Sequence, residues 1–139
     1  MIKVQTSRFG ELAVREDRVV SFPSGLIGLP RLQRFFLIDH KDTPLSWLQA
    51  VDDPDIAFIV ASPTLIVQDY SLNLDSSVKK YIELQNDDDL AVLVTVRVEG
   101  DDVIANFQGP LAINSRTMKG VQVVLDQTPE SPREPGSPL

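Results

Sequence analysis

The stretch Trp47 to Pro63, WLQAVDDPDIAFIVASP, holds two apolar runs parted by a tight acidic turn, and it carries the chain's single tryptophan. It reads as a β-hairpin. Leu45, Trp47, Gln49 and Val51 share one strand face by period-two alternation, Asp52-Asp53-Pro54-Asp55 supplies the turn, and Ile56-Ala57-Phe58-Ile59-Val60 returns as a nearly continuous apolar strand. A run that apolar is expected to be buried on both faces. Trp47, Phe58 and Ile59 are the expected packing residues, because large side chains of this kind dominate burial in small β domains.

Toward the N-terminus, Ile2 to Thr6 alternates as a strand, Arg8-Phe9-Gly10 turns, and Glu11 to Arg15 pairs back. Val19 to Phe22 is a further strand, followed by a loop from Pro23 to Pro30 whose Leu26, Ile27 and Leu29 suit it to tuck under a sheet edge. Gly25 and Gly28 lack the Lys-Ser/Thr and the strand-to-helix context of a phosphate loop, so they read as turn glycines. Arg34 to Asp39 is a strand that leads through a polar turn at 40–44 into the hairpin.

Toward the C-terminus, Leu65-Ile66-Val67 reads as a short strand, and Ser76 to Gln85 as the one helix, with Val78, Tyr81 and Ile82 on one side and Asp75 or Ser76 as cap. Strands follow at Leu90 to Val98, Val103 to Phe107, Leu111 to Ile113 and Val121 to Leu125, with Gly100-Asp101-Asp102 and a basic loop from Asn114 to Gly120 between them. Many short strands at regular spacing point to a sandwich or a barrel. One domain, residues 1–126, is expected, followed by a tail at 127–139 in which Pro129, Pro132, Pro135 and Pro138 recur every third residue; that composition reads as a disordered terminus.

With 139 residues and 42% apolar side chains, the chain supports a single core. It has no cysteine, which removes disulfides and a thiol nucleophile and suits a reducing compartment. The start of the chain shows no apolar leader, and no stretch approaches the roughly 18 apolar residues of a membrane span, so a cytoplasmic protein away from membranes is expected. A net charge of −7 argues against direct nucleic-acid binding and suits a basic protein partner.

Catalytic and metal constellations do not assemble. His40, the single histidine, sits in a turn with no nucleophile set beside it. The acidic groups Asp52-Asp53 with Asp55, Asp87-Asp88-Asp89, and Asp101-Asp102 lack the alternating ligands, central glycine and distal glutamate of a calcium loop, and Asp is common at turns because it accepts backbone N–H bonds. No catalytic residue, cofactor or metal is expected.

Four segments in order carry a resemblance: Phe22-Pro23-Ser24-Gly25-Leu26-Ile27-Gly28-Leu29, the 47–63 hairpin, Asn106-Phe107-Gln108-Gly109-Pro110-Leu111-Ala112-Ile113-Asn114, and Lys119-Gly120-Val121-Gln122-Val123-Val124-Leu125. Together they resemble the flagellar assembly factor FliW family. The resemblance implies a compact, mostly β, antiparallel barrel-like domain. It implies no enzyme, but a cytoplasmic protein that binds flagellin and, when flagellin is scarce, the basic RNA-binding repressor CsrA, relieving repression of flagellin mRNA allosterically. In relatives the last strand continues with an aromatic and a basic residue, whereas this tail has Arg133 and no aromatic. Motif position and charge single out Asp52, Asp53, Asp55, Asp69 and Tyr70 as partner contacts, with Asn114, Arg116 and Lys119 as a second patch. The readings from other classes are a β-rich subunit of another assembly and an enzyme of unknown type.

Overall fold

The computed structural model describes residues 1–125, so the proline-rich tail at 127–139 lies outside the described residues. Ten strands and one helix follow in order: β1 (Ile2–Thr6), β2 (Gly10–Val14), β3 (Val20–Ser21), β4 (Arg34–Asp39), β5 (Ser46–Ala50), β6 (Ala57–Ala61), α1 (Ser76–Tyr81), β7 (Leu90–Glu99), β8 (Asp102–Ala105), β9 (Leu111–Asn114) and β10 (Lys119–Gln122). The main sheet runs β6-β5-β4-β3-β10-β9-β7-β8, and β7 also pairs with β6. That pairing closes seven strands into a barrel. All its pairings are antiparallel except β10 with β3, which meet in parallel at Lys119 and Ser21. The ten residues of β7 serve two partners along one edge, β9 against its first half and β8 against its second, with β6 on the other edge.

Closure sorts every strand into an inward and an outward face by period two. Inward lie Val20, Phe22, Leu26, Phe35, Leu48, Ala50, Val60, Leu111 and Ile113, with Phe22 and Phe35 edge to face at 5.7 Å. Gly120 is required here, because a Cβ would stand 2.6 Å from the Phe22 ring. The outward face is buried in three patches. The β1–β2 hairpin covers Phe36, Ile38 and Val51; Phe107 packs on Ala61, Val94 and Val96; and the segment around Ile82 and Leu84 covers Ala112 and Val121.

Four expectations change. Trp47 is not a core residue: its face of β5 is the outside of the barrel, and the side chain is half-buried between His40, stacked at 5.6 Å, Phe9 at 6.2 Å and the Arg8 guanidinium 4.2 Å from its ring centre. Its neighbour Leu48 is the fully buried residue. The 65–67 segment is not a strand but follows a 3₁₀ turn at Pro63–Leu65, since Pro63 has no N–H for a ladder and its fixed φ suits the first position of a helical turn. The helix ends at Tyr81 and not Gln85, because Glu83 enters the left-handed region at φ 59°. The Glu83 N–H reaches the Lys80 carbonyl and the Leu84 N–H the Lys79 carbonyl, which is a Schellman stop. Likewise the last strand is Lys119–Gln122, two residues earlier than the expected start at Val121. Phe58 and Ile59 do pack, against the inner core and the Val94–Val96 patch respectively.

Candidate functional site

The β5–β6 turn at 52–55 is held from three sides. Arg34, at the start of β4, pairs with Asp52 through Nη2–Oδ1 at 2.6 Å and Nε–Oδ2 at 3.2 Å. This hydrogen-bonded pair holds the Asp52 carboxyl below its ordinary range and raises the Arg34 guanidinium above its own. Asp53 Oδ1 accepts the Asp55 N–H at 3.0 Å, the local turn that made aspartate a turn signal. From the β1–β2 turn, the Ser7 hydroxyl donates to the Asp55 carboxylate and the Ser7 N–H to the Pro54 carbonyl. Behind the turn, the fully buried Gln49 donates Nε2 to the carbonyls of Ala50, Asp53 and Pro54. A hollow of about 160 Å³ lies alongside, lined by Ser7, Arg8, Gln49, Pro54, Asp55 and Ala57. Gln49 Oε1 has no hydrogen-bond partner among the described residues.

Strand order adds a second acidic turn to this end. Because β6 and β7 are antiparallel, with Ile59 opposite Val96, the start of β6 and the end of β7 lie at the same end of the barrel. The β7–β8 tip, carrying Glu99, Asp101 and Asp102, therefore sits at the end where Asp52, Asp53 and Asp55 sit. Glu99 is paired with Arg97 at 2.8 Å, and among the described residues no cation lies within ion-pair distance of Asp101 or Asp102. The sequence reading considers Asp101 and Asp102 only as metal ligands and does not single out Glu99. Gly100 marks their turn in the sequence, but nothing local says which other turn it adjoins.

The remaining expected contacts are placed differently. Asp69 is exposed, while the Tyr70 hydroxyl is buried without a hydrogen-bond partner among the described residues. The Tyr70 ring packs on Phe107 at 5.9 Å, and burial raises its pKa. Asn114 is not a loop residue open to a partner: it ends β9 with no exposed surface. Its Nδ2 donates to the Ile82 and Glu83 carbonyls, both at 3.0 Å, which the end of α1 leaves unpaired, and its Oδ1 accepts the Arg116 N–H at 3.0 Å. Lys119 pairs with Glu83 at 2.6 Å and lowers its pKa through that hydrogen bond, and Arg116 approaches Asp89 at 3.7 Å. Among the described residues no group of three or more His, Cys, Asp or Glu side chains is arranged to hold a metal ion.

The family model described as FliW protein matches residues 3–135, nearly the whole chain. The chain belongs to the FliW family. It is 34% identical over 127 residues to the flagellar assembly factor FliW of Treponema denticola, covering 90% of this chain and 86% of that protein. With the flagellar assembly factor FliW of Geobacter sulfurreducens it shares 30% identity over 136 residues, 96% of this chain and 86% of that one. A solved structure, the crystal structure of the flagellar assembly factor FliW, matches with a TM-score of 0.84 at 30% identity over 92% of this chain and 91% of that one. The FliW barrel thus accounts for both the closed sheet and the motif order. No helix among the described residues of this FliW-family chain is long and apolar enough to cross a membrane.

Proposed function

We propose that this domain is a cytoplasmic flagellar assembly factor that works by binding, holding flagellin and, when flagellin is scarce, the basic repressor CsrA. Flagellin withdraws the domain from a shared pool by mass action, and only the free domain restrains the repressor. The observation that carries the reading is the pairing of two acidic turns, 52–55 and 99–102, at one end of a closed barrel in a FliW-family chain. Clustered charge on a rigid scaffold speeds encounter with a basic protein and disfavours acidic ones. A binding role also suits the hollow beside the turn, whose only titratable lining groups are Arg8 and Asp55. An enzyme would need converging acid and base groups in a deeper pocket.

Co-expression with flagellin and CsrA from the same genome, followed by affinity purification of this chain, tests the reading. Both proteins are expected to be retained. The double charge reversal Asp53→Lys with Asp101→Lys is expected to weaken CsrA retention by about tenfold or more, as loss of charge complementarity does at other interfaces. Retention of neither partner by the unmodified chain ends the binding reading. Unchanged retention by the folded double variant removes the acidic end from it.

A further inference from the structure

In the hollow beside the 52–55 turn, hydrogen-bond acceptors outnumber donors. It lies between the outward face of the β5–β6 hairpin, where Gln49 is opposite Ala57, and the β1–β2 turn that carries Ser7 and Arg8. Gln49 has no exposed surface, and its Nε2 is committed to the carbonyls of Ala50, Asp53 and Pro54. Those three carbonyls fix the amide with Oε1 as its unpaired end among the described residues. A buried amide oxygen without a donor is costly, so a group that supplies one is favoured there.

Two further acceptors line the hollow. The Asp55 carboxylate takes the Ser7 hydroxyl but has no cation within ion-pair distance among the described residues, and the Ser7 oxygen keeps its lone pairs after donating its proton. Arg8 is the one cation in the lining, and it is not their counterion. Its guanidinium sits 4.2 Å from the Trp47 ring centre, with no acid within ion-pair distance among the described residues. Arg8 is exposed and held by that ring alone, so it is the lining side chain free to swing aside and open a path to Oε1. At about 160 Å³ the hollow has room for about five waters of about 30 Å³ each, which suits a lysine side chain with its four carbons and one nitrogen.

We propose that the hollow takes a lysine side chain of a basic partner. Its ammonium donates to Gln49 Oε1, the Asp55 carboxylate and the Ser7 hydroxyl oxygen, while its stem lies against Pro54 and Ala57. An ammonium brings three donors and no acceptor, one donor for each of these acceptors. A guanidinium spreads five N–H groups in a flat fork and leaves two of them unmatched, and a carboxylate or phosphate meets acceptors with a further acceptor. The proposal names the group recognised beside the 52–55 turn and rests on the reading of a basic partner; the two fail separately in the test below.

The test uses the full chain, labelled with nitrogen-15 and titrated at millimolar concentrations with N-acetyl-lysine N-methylamide. The norleucine and arginine counterparts serve as comparisons, norleucine being close to lysine without its ammonium. The lysine probe alone is expected to shift the Gln49 side-chain amide together with the Ser7 and Ala57 backbone amides, and to change Trp47 fluorescence as Arg8 leaves the ring. Asp55→Asn, which keeps an acceptor for Ser7 but removes the charge, is expected to weaken this binding about tenfold. Gln49→Met is expected to weaken it as well; should that variant unfold, Asp55→Asn and Ser7→Ala carry the measurement. Equal shifts from norleucine overturn the ammonium, and equal shifts from arginine overturn the choice of lysine. Shifts at Asp53 and Asp55 with the Gln49 amide unmoved overturn the hollow and leave the acidic end standing. No shift at any of these residues overturns the hollow alone, since retention of CsrA in the affinity purification decides the basic partner independently.

Discussion

The 52–55 turn and the 114–119 loop look alike as strings of polar and charged residues, yet the barrel uses them in opposite ways. At 52–55 the backbone is braced by Gln49, Ser7 and Arg34, and the carboxylates of Asp53 and Asp55 remain at the surface of one end. At 114–119 the polar groups turn inward: Asn114 finishes a helix, and Lys119 and Arg116 meet acids of the same chain. A polar loop becomes a presenting surface only where the scaffold satisfies its backbone by other means. Where the fold still has unpaired carbonyls to satisfy, the loop's side chains are consumed.

The hardest test of that contrast is Asn114→Ala. Loss of a fully buried amide that serves two carbonyls and two backbone N–H groups is expected to cost about 3 kcal/mol, read from denaturant unfolding. A cost below about 1 kcal/mol, the net worth of one ordinary hydrogen bond, would break the contrast.

A smaller effect is expected at Asp52→Asn. The pair with Arg34 is about half exposed, 50% and 48% for the two side chains, which limits it to at most about 1 kcal/mol at low salt. Its pH dependence has a definite sign. The folded-state pKa of Asp52 lies below the ordinary 3.8, so the stabilisation is present above 3.8 and fades as pH falls through the lower folded value. The stability difference between the parent chain and the variant should therefore vanish in acid and shrink with added salt. A difference that grows in acid would refute the pairing.

The smallest effect is expected for Arg116→Ala with Lys119→Ala. Since both cations already face acids of the chain, partner retention in the affinity purification should change by less than about twofold, the range of exposed ion pairs. A loss equal to that of the Asp53 and Asp101 reversal would restore the 114–119 loop as a contact surface.

Much of the fold was legible from local pattern. Alternation placed an expected strand over part of each of the ten observed ranges, and Gly, Pro and Asp marked the turns between them. Local pattern failed where a residue has two uses. Leu65-Ile66-Val67 suits a strand or a helical turn, and Pro63 in the tertiary setting decides for the turn. Ile82 to Gln85 continues the helical spacing, but burial of Leu84 against Ala112 turns the chain out of the helix at Glu83. Of the candidate site, the acidic turn was legible and its brace was not: Ser7 and Arg34 lie far from it in sequence, and Glu99, Asp101 and Asp102 join it only through the β6–β7 register.

The strand-and-turn order, the acidic character and the four motifs that carry the FliW resemblance follow from the residues alone, because they depend on side chains and their neighbours along the chain. Which face of each strand lies inside waits on the closed barrel. A period of two fits either assignment, and it took closure of β7 on β6 to put Leu48 in the core, leave Trp47 on the outside with His40 and Arg8, and bring two acidic turns to one end.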